Sequence, residues 1–102
     1  SGARVNGLII LADILDNHGH HADAELVARE LLKLRRFSGD YLLLASCLMH
    51  NNKLADAITL LERAVDLHPF RRAPRELLIP LLQRSGRTED AARHLEVLQR
   101  LP

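Results

Sequence analysis

Tyr41-x2-Leu44-Ala45-x2-Leu48 and, after a turn at Asn51-Asn52, Ala57-x3-Leu61 with Ala64 and Pro69 carry two amphipathic runs in close succession. Residues three and four apart share one face of an α-helix, so each run predicts a helix with a single apolar stripe. Ala45 and Ala57 stand among the large residues of those stripes. Small side chains there let two helices approach closely while the leucines bury the seam. The pattern recurs along the chain. A shift of 33 residues carries Leu8, Leu11, Ala12 and Leu15 onto Tyr41, Leu44, Ala45 and Leu48, and Ala22-Asp23-Ala24 onto Ala55-Asp56-Ala57. Leu34 falls on Leu67 and Phe37 on Phe70. A shift of 34 carries Leu44, Leu48, Ala57, Leu61 and Leu67 onto Leu78, Leu82, Ala91, Leu95 and Leu101. Self-similarity at such a period marks an array of helix pairs.

Turn chemistry divides the chain at matching intervals. His18-Gly19-His20, Phe37-Ser38-Gly39, Asn51-Asn52, His68-Pro69 and Ser85-Gly86 each end a helical run. Six helices are predicted, over about 5–17, 22–35, 40–50, 55–67, 73–84 and 88–100. Asp40 is placed to cap the third, and Thr88 with Glu89 and Asp90 suits the start of the sixth. Pro74 suits the first turn of the fifth. Pro80 lies inside that helix and predicts a kink, or a division into two short pieces.

On these residues the chain resembles the tetratricopeptide repeat family. The family pattern sets a large residue, a Leu-small pair and a large residue on the first helix. A small residue, a large residue four later and a closing Pro follow on the second. Residues 41–69 follow it well, and Ser85-Gly86-Arg87-Thr88-Glu89-Asp90-Ala91 is typical of the turn within a pair. The resemblance covers about residues 5–102. It implies an all-α solenoid of helical hairpins, six helices in a right-handed superhelical stack. A HEAT-like or Sel1-like array is the alternative. One domain is expected over 1–102, with repeats at about 5–37, 38–71 and 72–102. The first repeat carries Ala28 where a large residue is usual and Arg36 where Pro is usual. The third carries Ile79 where a small residue is usual, and its two helices are expected to stand further apart. The Ser-Gly-Ala start without Met predicts a fragment of a longer protein.

Composition bounds the alternatives. The chain has 102 residues, 47% hydrophobic and 26% charged, the balance of a globular domain. It has 22 leucines and only 3% aromatic residues, which argues against a β-sandwich or barrel. A single Cys makes no internal disulfide and no Cys-rich metal site. The apolar run Leu8–Ala12 is ended by Asp13, too soon for a membrane span, and no basic segment precedes it to make a signal peptide. The cytoplasm is the expected compartment, with the periplasm as the alternative where a leader has been removed. Arg-rich, Lys-poor, Leu-rich usage points to a bacterial source. The net charge of +1 is far from the footprint of a nucleic-acid-binding domain.

The resemblance also implies where a partner would bind, because the first helix of each pair lines the concave face of such a stack. The corresponding residues are Asn6, Ile9, Asp13 and Asp16, then Leu42, Ser46, Met49 and His50, then Ala73, Glu76, Pro80, Gln83 and Arg84. That groove would be acidic at one end, apolar in the middle and of mixed charge at the other end. Some members grip a C-terminal carboxylate with Lys, Asn and Arg. Here Ile9, Asp13, Leu42, Ser46 and Glu76 hold those places, so that clamp is absent. The expectation is a scaffold or adaptor that takes another protein, as a helix or extended peptide, in the groove. A structural segment of a larger array or assembly complex is the alternative.

Other candidates carry less. His18, His20 and His21 crowd one turn, read as exposed and polar, and no metal site and no cofactor are expected. Cys47 reads as a buried structural thiol. Arg35, Arg36, Arg71, Arg72 and Arg75 fall in the turns between pairs and would form a basic edge. No nucleophile has the acid–base partners that catalysis needs, so no enzyme is expected. Leu78, Leu82, Leu95 and Leu98 cannot all face the second repeat, so some apolar surface is expected to stay open at the end of the sixth helix, and either further residues or a second copy of the chain would cover it.

Overall fold

The computed structural model describes residues 2–102 and contains six helices with no strand among them. They are α1 (Gly2–Asn17), α2 (His21–Leu34), α3 (Ser38–His50), α4 (Leu54–Leu67), α5 (Arg72–Arg84) and α6 (Thr88–Arg100). Every predicted helix is present. α5 runs unbroken through Pro80, which sets aside the division into two pieces. The proline ring is exposed, and the missing bond is the one its N–H would have given to the Glu76 carbonyl. Asp40 is not the cap residue of α3 but lies in its first turn, from where Oδ2 accepts the Phe37 N–H at 3.0 Å.

The three turns inside the helix pairs are built alike. Gly19, Asn52 and Gly86 have φ of +83°, +60° and +80°. Just beyond them, the N–H groups of His20, Lys53 and Arg87 return to the carbonyls of Leu15, Leu48 and Leu82, each at 2.8 Å. This is the left-handed helix ending that glycine favours and asparagine tolerates. Its bonds satisfy carbonyls that would otherwise face no donor. The two sequence shifts thus reappear as three copies of one turn.

Helices pack on their neighbours in chain order, and α3 also touches α5. Ala12, Ala24, Ala28, Ala45, Ala57 and Ala64 retain no exposed surface. Leu44, Leu48, Leu61, Leu78 and Leu82 fill the space around them in one cluster that runs from α2 to α6. Ile79, which departs from the small-residue pattern, belongs to that cluster as well.

Polar bonds tie each pair to the next. Buried Glu25 on α2 accepts from Asn51 and Lys53 in the following turn and from Arg29 on its own helix. Glu62 on α4 accepts from Arg87 in the turn after that, at 2.9 Å. Lys53 and Arg87 are equivalent under the shift of 34. Burial alone pushes the Glu25 carboxyl up, but its bonds to Lys53, Asn51 and Arg29 outweigh that and leave it below its ordinary 4.5.

Two expectations change. On α1 the periodic residues Leu11 and Ile14 are exposed, because α1 packs chiefly against α2 and buries only the face that carries Ala12. At the other end Leu78, Leu82 and Leu98 are buried, so the open surface expected there shrinks to Leu95 and Val97. Among the described residues no helix is long and apolar enough to cross a membrane.

Two measurements check this packing. Ala45→Leu is expected to lower stability by about 1–3 kcal/mol, because no space remains for the added carbons; a neutral result in denaturant unfolding would refute the packing register. For Glu25, a folded pKa below the ordinary value means stability that is complete above pH 4.5 and is lost as pH falls through the lower value. Glu25→Gln is therefore expected to cost about 1–3 kcal/mol at neutral pH and to flatten the acid limb of the stability curve. An unchanged acid limb would contradict the network.

Candidate functional site

Helical spacing sorts the first-helix residues into stripes. On α3, Leu42, Ser46 and Met49 follow one another by four and three residues and are all half-buried. Leu42 and Met49 rest partly on the core cluster. On α5, Glu76, Pro80 and Gln83 repeat that spacing and are exposed, as is Arg84. Ala73 is half-buried at the start of the same helix. On α1, Asn6 and Asp13 are exposed and Ile9 is half-buried. Met49 and Arg84 also line, with Asn52 and Leu54, a cavity of about 120 Å³ beside the α3–α4 turn.

Asp16 and His50 are arranged differently from an open groove lining. Asp16 is only 8% exposed. Its Oδ1 meets Nδ1 of His21 and its Oδ2 meets Nδ1 of His50, both at 2.7 Å. The two imidazole centroids stand 5.2 Å apart. Of the crowded histidines, His18 and His20 are exposed, and His18 Nδ1 bonds to the Ile14 carbonyl at the end of α1. Only His21 is drawn inward. Asp16 and His21 flank one turn in the sequence, but nothing there brings in His50, which lies 34 residues from Asp16.

The arginines divide in the same way. Arg35 forks onto buried Asp40, with Nε 3.0 Å from Oδ2, and stands 4.5 Å over the Phe37 ring. Arg72 donates to the Leu98 carbonyl, and Arg75 is buried with Nη1 on the Pro69 carbonyl. Arg36, Arg71 and Arg72 remain exposed. The expected basic edge is thus thinned, because three of its five members hold the stack together. A basic surface exists elsewhere: Arg29, Lys33, Arg36 and Arg63 surround Leu32, Tyr41, Leu44 and Leu60 in a cleft of about 270 Å³ on the α2–α4 side. Under the shift of 33 Arg29 falls on Glu62, one residue before Arg63, so the repeat pattern does not mark this pair.

Cys47 is fully buried. Burial, reinforced by the charge of Asp16, pushes its thiol up to about 11, which keeps it protonated and unreactive at neutral pH. Burial also lowers the His94 imidazole, and the charge of Arg75 adds to the effect.

A scan against protein-family models finds no match, and neither does a search of curated proteins. Solved structures do match. The type III secretion translocator chaperone SycD of Yersinia enterocolitica superposes with a TM-score of 0.88 at 21% identity, over 98% of this chain and 75% of that one. SycD in an alternative dimer gives 0.86 at 22%. PcrH, solved in complex with the chaperone binding region of PopB, gives 0.86 at 14%, over 96% of this chain and 80% of that one. A double mutant of MamA from RS-1 gives 0.85 at 18%, over 94% of this chain and 55% of that one. At these identities the likeness establishes the fold: an all-α, TPR-like stack of helical hairpins.

Proposed function

We propose that this chain is a protein-binding module that receives a partner helix or extended peptide along its first helices, as a scaffold or adaptor and without turnover. The three hairpins act as three copies of one repeat within one domain. The observation that carries this reading is the direct contact of α3 with α5. There Met49 of the half-buried stripe and Arg84 of α5 line one cavity, and Glu76 and Gln83 are exposed on the same helix as Arg84. An apolar middle supplies contact area, and charge at the flanks selects the partner. Fold alone does not assign function, but PcrH shows a stack of this shape holding a segment of another protein.

A second reading, self-association, is favoured by α1. Ile10 and Ile14 are more than half exposed and Leu11 nearly so, and Gly7 extends their stripe by one turn. SycD occurs as a dimer.

Peptides selected by display against the intact chain provide the test. Leu42→Glu is expected to weaken the selected peptide at least about tenfold. Asp13→Lys with Glu76→Lys is expected to change its charge preference. Asp16 is left unaltered because it is committed to the two histidines. Binding at full strength in both variants would overturn the first-helix site. For self-association, Ile10→Lys with Ile14→Lys is expected to abolish any concentration dependence in sedimentation while leaving peptide affinity unchanged. A wild-type chain that sediments as a monomer at every concentration would set that reading aside.

A further inference from the structure

We propose that Asp16, His21 and His50 form a site for a divalent transition-metal ion of the zinc class, which clips the first helical hairpin to the second. One donor atom from each residue lies within 4.8 Å of the other two. They come from three helices: the last turn of α1, the first residue of α2 and the last residue of α3. Asp16 and His50 are separated by one whole hairpin, so an ion held by both joins elements that the chain connects only through α2.

Three features of the site suit a cation. First, the carboxylate of Asp16 is buried, and the bonds it makes go to two imidazoles. Both carboxylate oxygens thus face imidazole nitrogens from two other helices, so the donor atoms of all three residues already point at one spot. Second, the C-terminal ends of α1 and α3 both converge here. Helix carbonyl ends favour positive charge, and two such ends oppose the single N-terminal end of α2. Third, His50 is 52% exposed and His21 is 32% exposed, which leaves an entry path.

The donor set selects the ion. Two imidazoles and one carboxylate suit zinc, and poorly suit magnesium or calcium, which prefer oxygen. Three protein donors leave a fourth position for water. Tetrahedral zinc binds nitrogen and oxygen at about 2.0–2.1 Å, which sets donors about 3.3 Å apart. The rings therefore need to shift by about an ångström, within reach of side chains at helix ends. Each Nδ1 then gives its lone pair to the ion in place of its hydrogen bond to Asp16, and the ring proton is carried on Nε2. His18 and His20, on the same turn, take no part.

Zinc titration of the untagged full chain by calorimetry tests this, with thermal unfolding as a second readout. One equivalent is expected to bind and to raise the unfolding midpoint. His50→Gln and His21→Gln, both at accessible rings, are each expected to weaken binding at least about 100-fold and to abolish the thermal shift, with the helical circular dichroism retained. His18→Gln with His20→Gln is expected to leave the affinity within about threefold. Cobalt bound in place of zinc should give a tetrahedral absorption band in wild type and lose it in His50→Gln. The proposal is overturned if wild type binds no zinc. It is equally overturned if the His18 and His20 substitutions remove binding while His50→Gln keeps it, since the ion would then be an adventitious ligand of the exposed turn.

Discussion

Close approach of helices at buried alanines is the constraint on which the rest of this structure depends. Ala12, Ala24, Ala28, Ala45, Ala57 and Ala64 have no exposed surface, and they lie where one helix meets the next. A larger side chain at any of them would push two helix axes apart and void the contacts of the leucines around it. The leucines supply most of the buried area, but the alanines decide the distance at which it is buried. The left-handed turns at Gly19, Asn52 and Gly86 complete the geometry by folding each second helix back onto its first.

Polar groups then fix how one hairpin sits on the next. Glu25 reaches forward to the turn at Asn51 and Lys53, Glu62 reaches forward to Arg87, and Asp16 gathers His21 and His50. These contacts consume charged residues that would otherwise be available to a partner. Asp16, Arg35 and Arg75 are committed inside the stack, and Arg72 is tied to the end of α6 from its surface. Open positions on the first helices include Asn6 and Asp13, the half-buried Leu42–Ser46–Met49 stripe, and Glu76, Pro80, Gln83 and Arg84. The surface offered to another protein is therefore more apolar in its centre, and less acidic at its first end, than the sequence suggests.

The fold was largely legible because it rests on local periodicity. Spacing of leucines and alanines located all six helices, and turn residues located their ends. Side-chain partnerships were less legible, since they join residues a full hairpin apart. Asp16 and His21 are close in the chain, but nothing in the spacing marks His50 as their neighbour. Asp40 reads as the residue that caps α3; from the first turn of that helix it accepts the Phe37 N–H and also holds the Arg35 guanidinium, a partner that spacing alone does not show. The basic cleft around Arg29 and Arg63 lies on the second helices, outside the face that the resemblance implies. Pro80 read as a break, but a single exposed proline near the end of a well-packed helix costs one hydrogen bond and does not outweigh the burial of Leu78, Ile79, Leu81 and Leu82.

The most direct measurement is an amide chemical-shift map of the intact chain, recorded as a display-selected peptide is added. The account predicts that the perturbed amides cluster on α3 and α5, around Leu42, Ser46, Met49, Glu76 and Gln83, while those of α2 and α4 beside Arg29 and Arg63 stay in place. Perturbation confined to the α2–α4 cleft, with the first helices unmoved, would contradict it.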